Sequence, residues 1–149
     1  MGSILKESDR AEIVSRLGSL SALSTRKWGT LDVIGMLQHL NLSARMTLGE
    51  LPVASSNKRV FQTFPFKHLI LYVLPFPKGA PTAPELIARS GSAVLEDERL
   101  AFARLFDQLS GITAGSLLQP HPAFGVLSYD EYGALMAKHT AHHFRQFGI

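Results

Sequence analysis

The chain has 149 residues, of which 46% are apolar and 18% are charged, and its formal net charge is +3. This length predicts one domain, residues 1–149, and the apolar fraction excludes an intrinsically disordered chain. Because the sequence has six His and no Cys, disulfides, thiolate zinc sites, iron–sulfur clusters and cysteine nucleophiles are excluded, and a metal site needs His, Asp or Glu.

Two amphipathic segments in the first third of the chain predict helices. The first helix is predicted over residues 9–20, with Ser8 as its N-cap. The second is predicted over residues 31–51, with Thr30 as its N-cap and Pro52 directly after its end.

Residues 52–94 form a long connection that contains six of the eight Pro. Within it only residues 66–74 could be helical, and residues 75–84 predict an extended, rigid surface loop. So long a connection inside a small domain is typically functional or a crossover. The apolar residues 64–76 could cover the helices or form the interface of a homodimer.

A third long helix is predicted over residues 95–109. Its inward-facing residues are predicted to include Leu95, Leu100 and Phe106, and Gly111 follows its end. Acidic residues near its start suit the positive end of the helix dipole.

The last helix has the clearest start signal in the sequence. Ser128 and Glu131 match the S-x-x-E capping box, and the helix is predicted to run to Phe147, just before Gly148. Strand-type alternation is nearly absent. The sequence therefore predicts an all-α fold, a four-helix bundle with a long Pro-rich crossover between the second and third long helices.

The last predicted helix carries two His one turn apart on its apolar face. His139 follows Tyr132, Leu135 and Met136 on the face that should pack inward, and His143 lies at i+4. Two imidazoles at this spacing can share one metal ion, although H-x-x-x-H alone is more often a solvent-facing pair. The apolar surroundings favour a site, because buried imidazoles need partners.

His39 is the candidate third ligand and lies among Met36, Leu37 and Leu40 in the second predicted helix. A lone His on an apolar face is more often a hydrogen-bonded core residue, but inward-facing His on two helices favour a convergent cluster. Three neutral His leave one coordination position open, as in catalytic zinc sites. Without thiolates, zinc, nickel or another divalent ion that accepts imidazole fits best.

The other candidates have weaker support. They could contact a ligating His or a substrate, and they are His121, His142, Asp32 and Tyr132. His142 could replace His143, although the i+4 pair points better. His121, in a loop, is a turn residue by default, or else a donor to a ligating His or a substrate contact. Asp32, on the same helix face as His39, could orient a ligand or accept a proton, although an acid in a first turn usually stabilises the helix dipole. His68 is predicted at the surface.

Five blocks of sequence cover nearly the whole chain, at residues 28–29, 36–40, 75–84, 121–125 and 139–148. Together they resemble the DinB-like superfamily of metal-binding four-helix bundles, and within it a bacterial branch known only as a domain of unknown function. The resemblance implies that His39, His139 and His143 are the metal ligands. That branch usually has Trp where this chain has Tyr132, which preserves an aromatic ring for packing but not an indole N–H.

Some members of that superfamily are similar to thiol S-transferases or thiol-dependent isomerases that use a low-molecular-weight thiol cosubstrate. The resemblance implies a metal-dependent enzyme, thiol S-transferase-like or hydrolase-like, that acts on a small molecule. Since the chain has no Cys, the sulfur would come from the cosubstrate, and a divalent ion would ionise that thiol or activate water.

The alternative function is a non-enzymatic bundle that binds a metal or a small ligand. A pocket at the His cluster, bordered by residues 75–84 and His121, would favour the enzyme. A site plugged by side chains would favour the alternative.

The sequence predicts a cytoplasmic protein that contacts neither a membrane nor nucleic acid. The N-terminus lacks a signal-peptide core, and Lys6 stands where a myristoylation motif requires Ser or Thr. The longest apolar run, residues 69–76, is far shorter than the roughly 20 residues that span a bilayer. The basic residues are scattered and form no patch that would bind nucleic acid.

Overall fold

The computed structural model describes residues 2–55, 59–88 and 92–149. Those residues fold into helices and connecting segments without a β-strand, and a single antiparallel bridge joins His121 and Gly125. No helix in the described ranges has the length and hydropathy that crossing a bilayer requires. The predicted all-α class is confirmed.

Four long α-helices account for most of the regular structure: α1 (Glu7–Leu17), α2 (Val33–Thr47), α4 (Leu95–Ser110) and α5 (Tyr129–Phe147). Between α2 and α4 lies a short helical segment, in which α3 (Phe66–His68) continues as a π-helical turn (Leu69–Val73). Two 3₁₀ turns (Arg59–Gln62 and Pro84–Leu86) flank that segment.

The start and end of α5 are those that the sequence predicts. The Ser128 hydroxyl accepts a hydrogen bond from the Glu131 amide, and the Glu131 carboxylate accepts one from the Ser128 amide at 2.8 Å. At the other end, Gly148 has φ +80°, a left-handed conformation that glycine adopts without a steric penalty.

The predicted start of α2 is wrong by two residues. Its N-cap is Asp32 rather than Thr30, because the Asp32 carboxylate accepts a 2.7 Å hydrogen bond from the Gly35 amide. Both residue types are good N-caps, so the pattern alone does not choose between them. The helix also ends at Thr47, earlier than the predicted Leu51.

The predicted start of α1 is also wrong. The helix begins at Glu7 and its N-cap is Lys6, which makes no side-chain capping bond, so Ser8 lies inside the first turn. In α4, Leu100 is 55% exposed rather than inward-facing. The buried stripe of α4 instead consists of Phe102, Leu105, Phe106 and Leu109.

Two apolar clusters hold the helices together, and α5 contributes to both. α2 packs against α4 and α5, and α1 packs against the same two helices. The larger cluster lies among these four helices and includes Leu37, Phe102 and Phe144. In the smaller one, Tyr132 and Leu135 of α5 pack with Leu71 of the π-helical turn and with Phe124 and Leu127.

The predicted connection, residues 52–94, includes residues 56–58 and 89–91, which lie outside the described residues. The helical segment predicted at 66–74 is confirmed as α3 and the π-helical turn. Most of residues 75–84 are exposed, but Phe76 is half-buried, and Leu86 just beyond is buried. These two residues bring the connection back against α2 and α5.

Candidate metal centre

Three His side chains, one from α2 and two from α5, meet between the helices. The Nε2 atoms of His39 and His139 lie 3.0 Å apart, and the Nε2 atoms of His143 and His139 are also 3.0 Å apart. One ring nitrogen from each residue lies within 4.8 Å of those of the other two. The structure therefore brings together the three His that the helical faces predict.

The outer nitrogens of two of these rings have fixed oxygen partners. His39 Nδ1 lies 2.8 Å from the Leu86 carbonyl oxygen, and His143 Nδ1 lies 2.6 Å from Gln146 Oε1. We assign the proton of each neutral ring to Nδ1, which then donates to these acceptors. Bonds of this kind fix the ring orientation and tautomer of metal-ligating His.

The inner nitrogens, which are the three Nε2 atoms, then have too few protons to form hydrogen bonds in both of their close contacts. With Nδ1–H on His39 and His143, both of their Nε2 atoms present lone pairs towards His139. A neutral His139 has at most one proton on Nε2 and can donate it to only one of the two. At least one buried lone pair therefore lacks a donor, and a set of converging nitrogen lone pairs is what a divalent ion such as zinc requires.

The electrostatics keep the cluster neutral at ordinary pH. Burial, with the neighbouring His39 next in effect, lowers the pKa of His143 to about 3. Burial also lowers the pKa of His39, and burial together with the two neighbouring His lowers that of His139. Because each ring is neutral near pH 7, each keeps one nitrogen lone pair that a metal ion can use.

Gly29 leaves space for the side chain of Gln146, the hydrogen-bond partner of His143. A Cβ atom at this position would lie 2.7 Å from Gln146 Nε2, and the residue has φ +86°, which disfavours any side chain. With its amide nitrogen towards Gly29, Gln146 turns Oε1 towards His143. The Lys27 amide also donates to the Gln146 carbonyl at 2.5 Å, which ties the segment before α2 to the end of α5.

Aromatic side chains lie beside the cluster. The Phe76 ring lies 6.2 Å from the ring of His139 and 5.9 Å from that of His142. Trp28 contacts His142 edge-on at 6.3 Å, and the Lys78 ammonium lies 4.6 Å from the Trp28 ring centre. His142 therefore contacts aromatic rings beside the cluster, while His143 occupies the ligand position that the i+4 spacing predicts.

His121 is held as a turn residue. Its Nδ1 accepts hydrogen bonds from the Ala123 and Phe124 amides at 3.1 and 3.3 Å, and its ring lies 5.1 Å from that of Phe124. Burial lowers its pKa to about 4. This geometry agrees with the default prediction of a structural role.

The remaining candidate residues have partners away from the cluster. The Tyr132 hydroxyl donates to the Gln119 carbonyl, and burial raises the pKa of Tyr132 to about 12. Asp32 is the exposed N-cap of α2, and His39 uses the Leu86 carbonyl instead. His68 is exposed, as predicted, and its ring lies beside Tyr72.

Two surface cavities of the protein are lined by residues other than the three His. One, of about 320 Å³, lies between the N-terminal segment and the start of α5, with Tyr72 and Tyr129 in its wall. The other, of about 370 Å³, lies beside α2 and is lined by Gln38 and Glu85 among others. The side chain over the His cluster is Phe76.

Sequence reasoning did not assign roles to Leu86, Gln146 or Gly29. Gln146 carries a detectable signal, since it lies three residues after His143 on the same helix. Leu86 acts through a backbone carbonyl 47 residues from His39, and no side-chain pattern encodes such a contact.

A family model described as "Protein of unknown function (DUF1569)" matches residues 4–148, and the chain belongs to that family. No curated protein and no solved structure matches the chain significantly.

Proposed function

We propose that this member of the DUF1569 family is a metal-dependent enzyme that acts on a small molecule. His39, His139 and His143 hold a divalent ion, with zinc or nickel as the best candidates. The observation that carries the proposal is the convergence of three Nε2 atoms, with the rings of His39 and His143 oriented from outside by Leu86 and Gln146.

The proposal extends to a DinB-like four-helix bundle. α1, α2, α4 and α5 share one apolar cluster, which supports this architecture. The Pro-rich segment after α2 then serves as the crossover to α4. The His cluster joins α2 to α5, and bundle metal sites are commonly built in this way from facing helices.

The chain's own residues set the chemistry of the site. Three neutral imidazoles contribute no negative charge, and among the described residues no carboxylate belongs to the group. The site therefore favours an anionic fourth ligand. A bound divalent ion would supply a Lewis acid with an open position, which lowers the pKa of a thiol cosubstrate or of water.

Metal analysis of protein purified without a nickel column tests the site. We expect about one equivalent of divalent metal in the wild type and loss of that metal in His139→Ala and His143→Ala. His68→Ala, which changes an exposed His away from the cluster, is the matched control. Stoichiometric metal in both ligand variants would refute the assignment.

Activity assays separate the two reaction types. Metal-loaded protein is incubated with common low-molecular-weight thiols and a panel of electrophiles, with His139→Ala as the control. Thiol consumption that depends on the metal would identify the transferase-like reaction, and thiol-independent cleavage of an ester or amide panel would identify the hydrolase-like one.

One observation favours the alternative, a non-enzymatic bundle that binds a metal or a small ligand. Phe76 lies beside His139, and none of the three His lines either of the two cavities above. A protein that binds one equivalent of metal but turns over no member of either panel would fit this function instead.

A homodimer is part of the proposal. Phe64 is 84% exposed and Val73 is 63% exposed, and both belong to the apolar segment between α2 and α4. Exposed apolar side chains grouped in one segment are typical of an interface between chains. A monodisperse monomer in solution scattering would exclude the dimer.

A further inference from the structure

Phe76 lies beside His139, the one partly exposed His of the cluster, and its backbone has little freedom of its own. Its ring lies 6.2 Å from that of His139 and 5.9 Å from that of His142. Pro75 fixes its own φ, and a residue before proline, here Phe76 before Pro77, is restricted to extended conformations. These restraints favour a movement of Phe76 together with the preceding π-helical turn over a local change of its own backbone.

Lys138, the residue before His139, holds this turn in place. Its ammonium donates to the carbonyl oxygens of Ile70, Leu71 and Leu74 and lies 5.0 Å from the centre of the Phe76 ring. Carbonyl groups at the end of a helical segment lack partners within that segment, and a cation there is stabilised by their partial negative charge. One side chain thus joins α5, the end of the π-helical turn and Phe76.

We propose that Phe76 is the gate of the His cluster and that Lys138 is the latch that keeps it closed. Release of the Lys138 ammonium frees the end of the π-helical turn, and Phe76 then swings away from His139. This inference rests on the proposed function, since it describes how a metal ion or small molecule reaches that site. π-helical turns occur frequently at functional sites, and loop opening of this kind is a common step in ligand exchange.

A second lysine of the same segment provides a matched control. Lys67 forms an ion pair with Glu131 at 2.9 Å and donates to the Val126 carbonyl, so it also ties the segment to α5. Its contacts lie at the start of α5, whereas those of Lys138 adjoin Phe76. Loss of Lys67 should loosen the segment without opening the gate.

The first experiment needs no metal. Metal-free wild type, Phe76→Ala, Lys138→Met and Lys67→Met are treated with diethyl pyrocarbonate at neutral pH, and carbethoxylation of each His is followed by peptide mass spectrometry. We expect Phe76→Ala and Lys138→Met to speed the modification of His139 by about tenfold, because both remove the Phe76 ring from the exposed side of His139. His68, which is exposed, and His121, which lies in a separate turn, should react at unchanged rates.

The second experiment measures metal release from zinc-loaded protein to a chromophoric chelator. The same two variants should release zinc about tenfold faster, while Lys67→Met should stay within about twofold of wild type.

Several outcomes would overturn the gate. They are wild-type rates in Phe76→Ala, an equal effect of Lys67→Met and Lys138→Met, or an increase at His121 that matches the increase at His139. The Phe76 variant keeps the test valid if Lys138→Met does not fold. If the wild type binds no zinc, the proposed function fails, and the carbethoxylation rates still decide whether Phe76 and Lys138 form a gate.

Discussion

The His cluster and His121 differ in the hydrogen-bond partners of their ring nitrogens. In the cluster of His39, His139 and His143, the inner nitrogens face each other and at least one of their lone pairs lacks a donor. His121 instead has its Nδ1 satisfied by two backbone amides of its own turn. Burial lowers the pKa of His121 as well as that of His143. A lowered pKa therefore does not distinguish the cluster from His121, whereas converging lone pairs without donors do.

The largest expected difference between the two environments is in metal affinity. His39→Ala should weaken zinc binding by more than about 100-fold, since loss of a ligand should exceed the 10–100-fold effect of losing a supporting hydrogen bond. His121→Asn keeps a hydrogen-bond acceptor in the turn and should bind zinc as the wild type does. Competition with a chelator of known affinity measures both. Equal losses of zinc affinity in the two variants would show that the His cluster and His121 do not differ in metal binding.

A smaller loss of zinc affinity is expected when only the hydrogen bond that orients a ligating His is removed. Gln146→Leu removes the acceptor that holds His143 Nδ1–H, so zinc affinity should fall by about 10–100-fold. Gln146→Glu keeps an oxygen acceptor at this position and should retain most of the affinity. The same competition assay applies, with circular dichroism as the check on folding. Wild-type affinity in Gln146→Leu would show that the bond does not orient His143.

The third prediction concerns stability and the protonation of His121. Its pKa is lowered from 6.5 to about 4 in the folded protein, so below pH 6.5 the unfolded chain takes up a proton that the folded chain does not. The free energy of unfolding should therefore decrease as the pH falls from 6.5 towards 4, by at most about 1.4 kcal/mol per pH unit for this group.

Urea unfolding of the metal-free wild type and of His121→Asn at pH 7 and pH 5 measures this contribution. The variant should lose less stability than the wild type over that interval, because it lacks one of the titrating groups. The buried His of the cluster titrate in the same direction and maintain a residual pH dependence in both proteins. An identical loss of unfolding free energy in the two proteins would show that burial of His121 does not cause this pH dependence.

The sequence predicts α5 and its His well because the determining signals are local. The Ser128 capping box sets the start of the helix, and the i+4 spacing distinguishes His143 from His142. The contribution of His39 also follows, since an amphipathic helix must turn its apolar face inward.

The remaining features depend on contacts between distant parts of the chain. Thr30 and Asp32 are both suitable N-caps, and only the folded geometry chooses Asp32. Leu100 is apolar but exposed, because α4 buries the stripe that contains Phe102 and Phe106. The Leu86 carbonyl reaches His39 from a Pro-rich segment without helical or strand periodicity, so no pattern places it there.

The separation of His39 and His139 along the chain has a consequence for folding. The two residues are 100 positions apart, so an ion that bridges them would close a loop of most of the protein. To bind the ion through all three His, the unfolded chain would have to lose the conformational entropy of closing that loop. Without closing it, the unfolded chain offers the ion only the neighbouring pair His139 and His143. Metal would therefore bind the folded state preferentially, and the melting temperature would rise with free metal concentration, as for a reversible cross-link between the two halves of the chain.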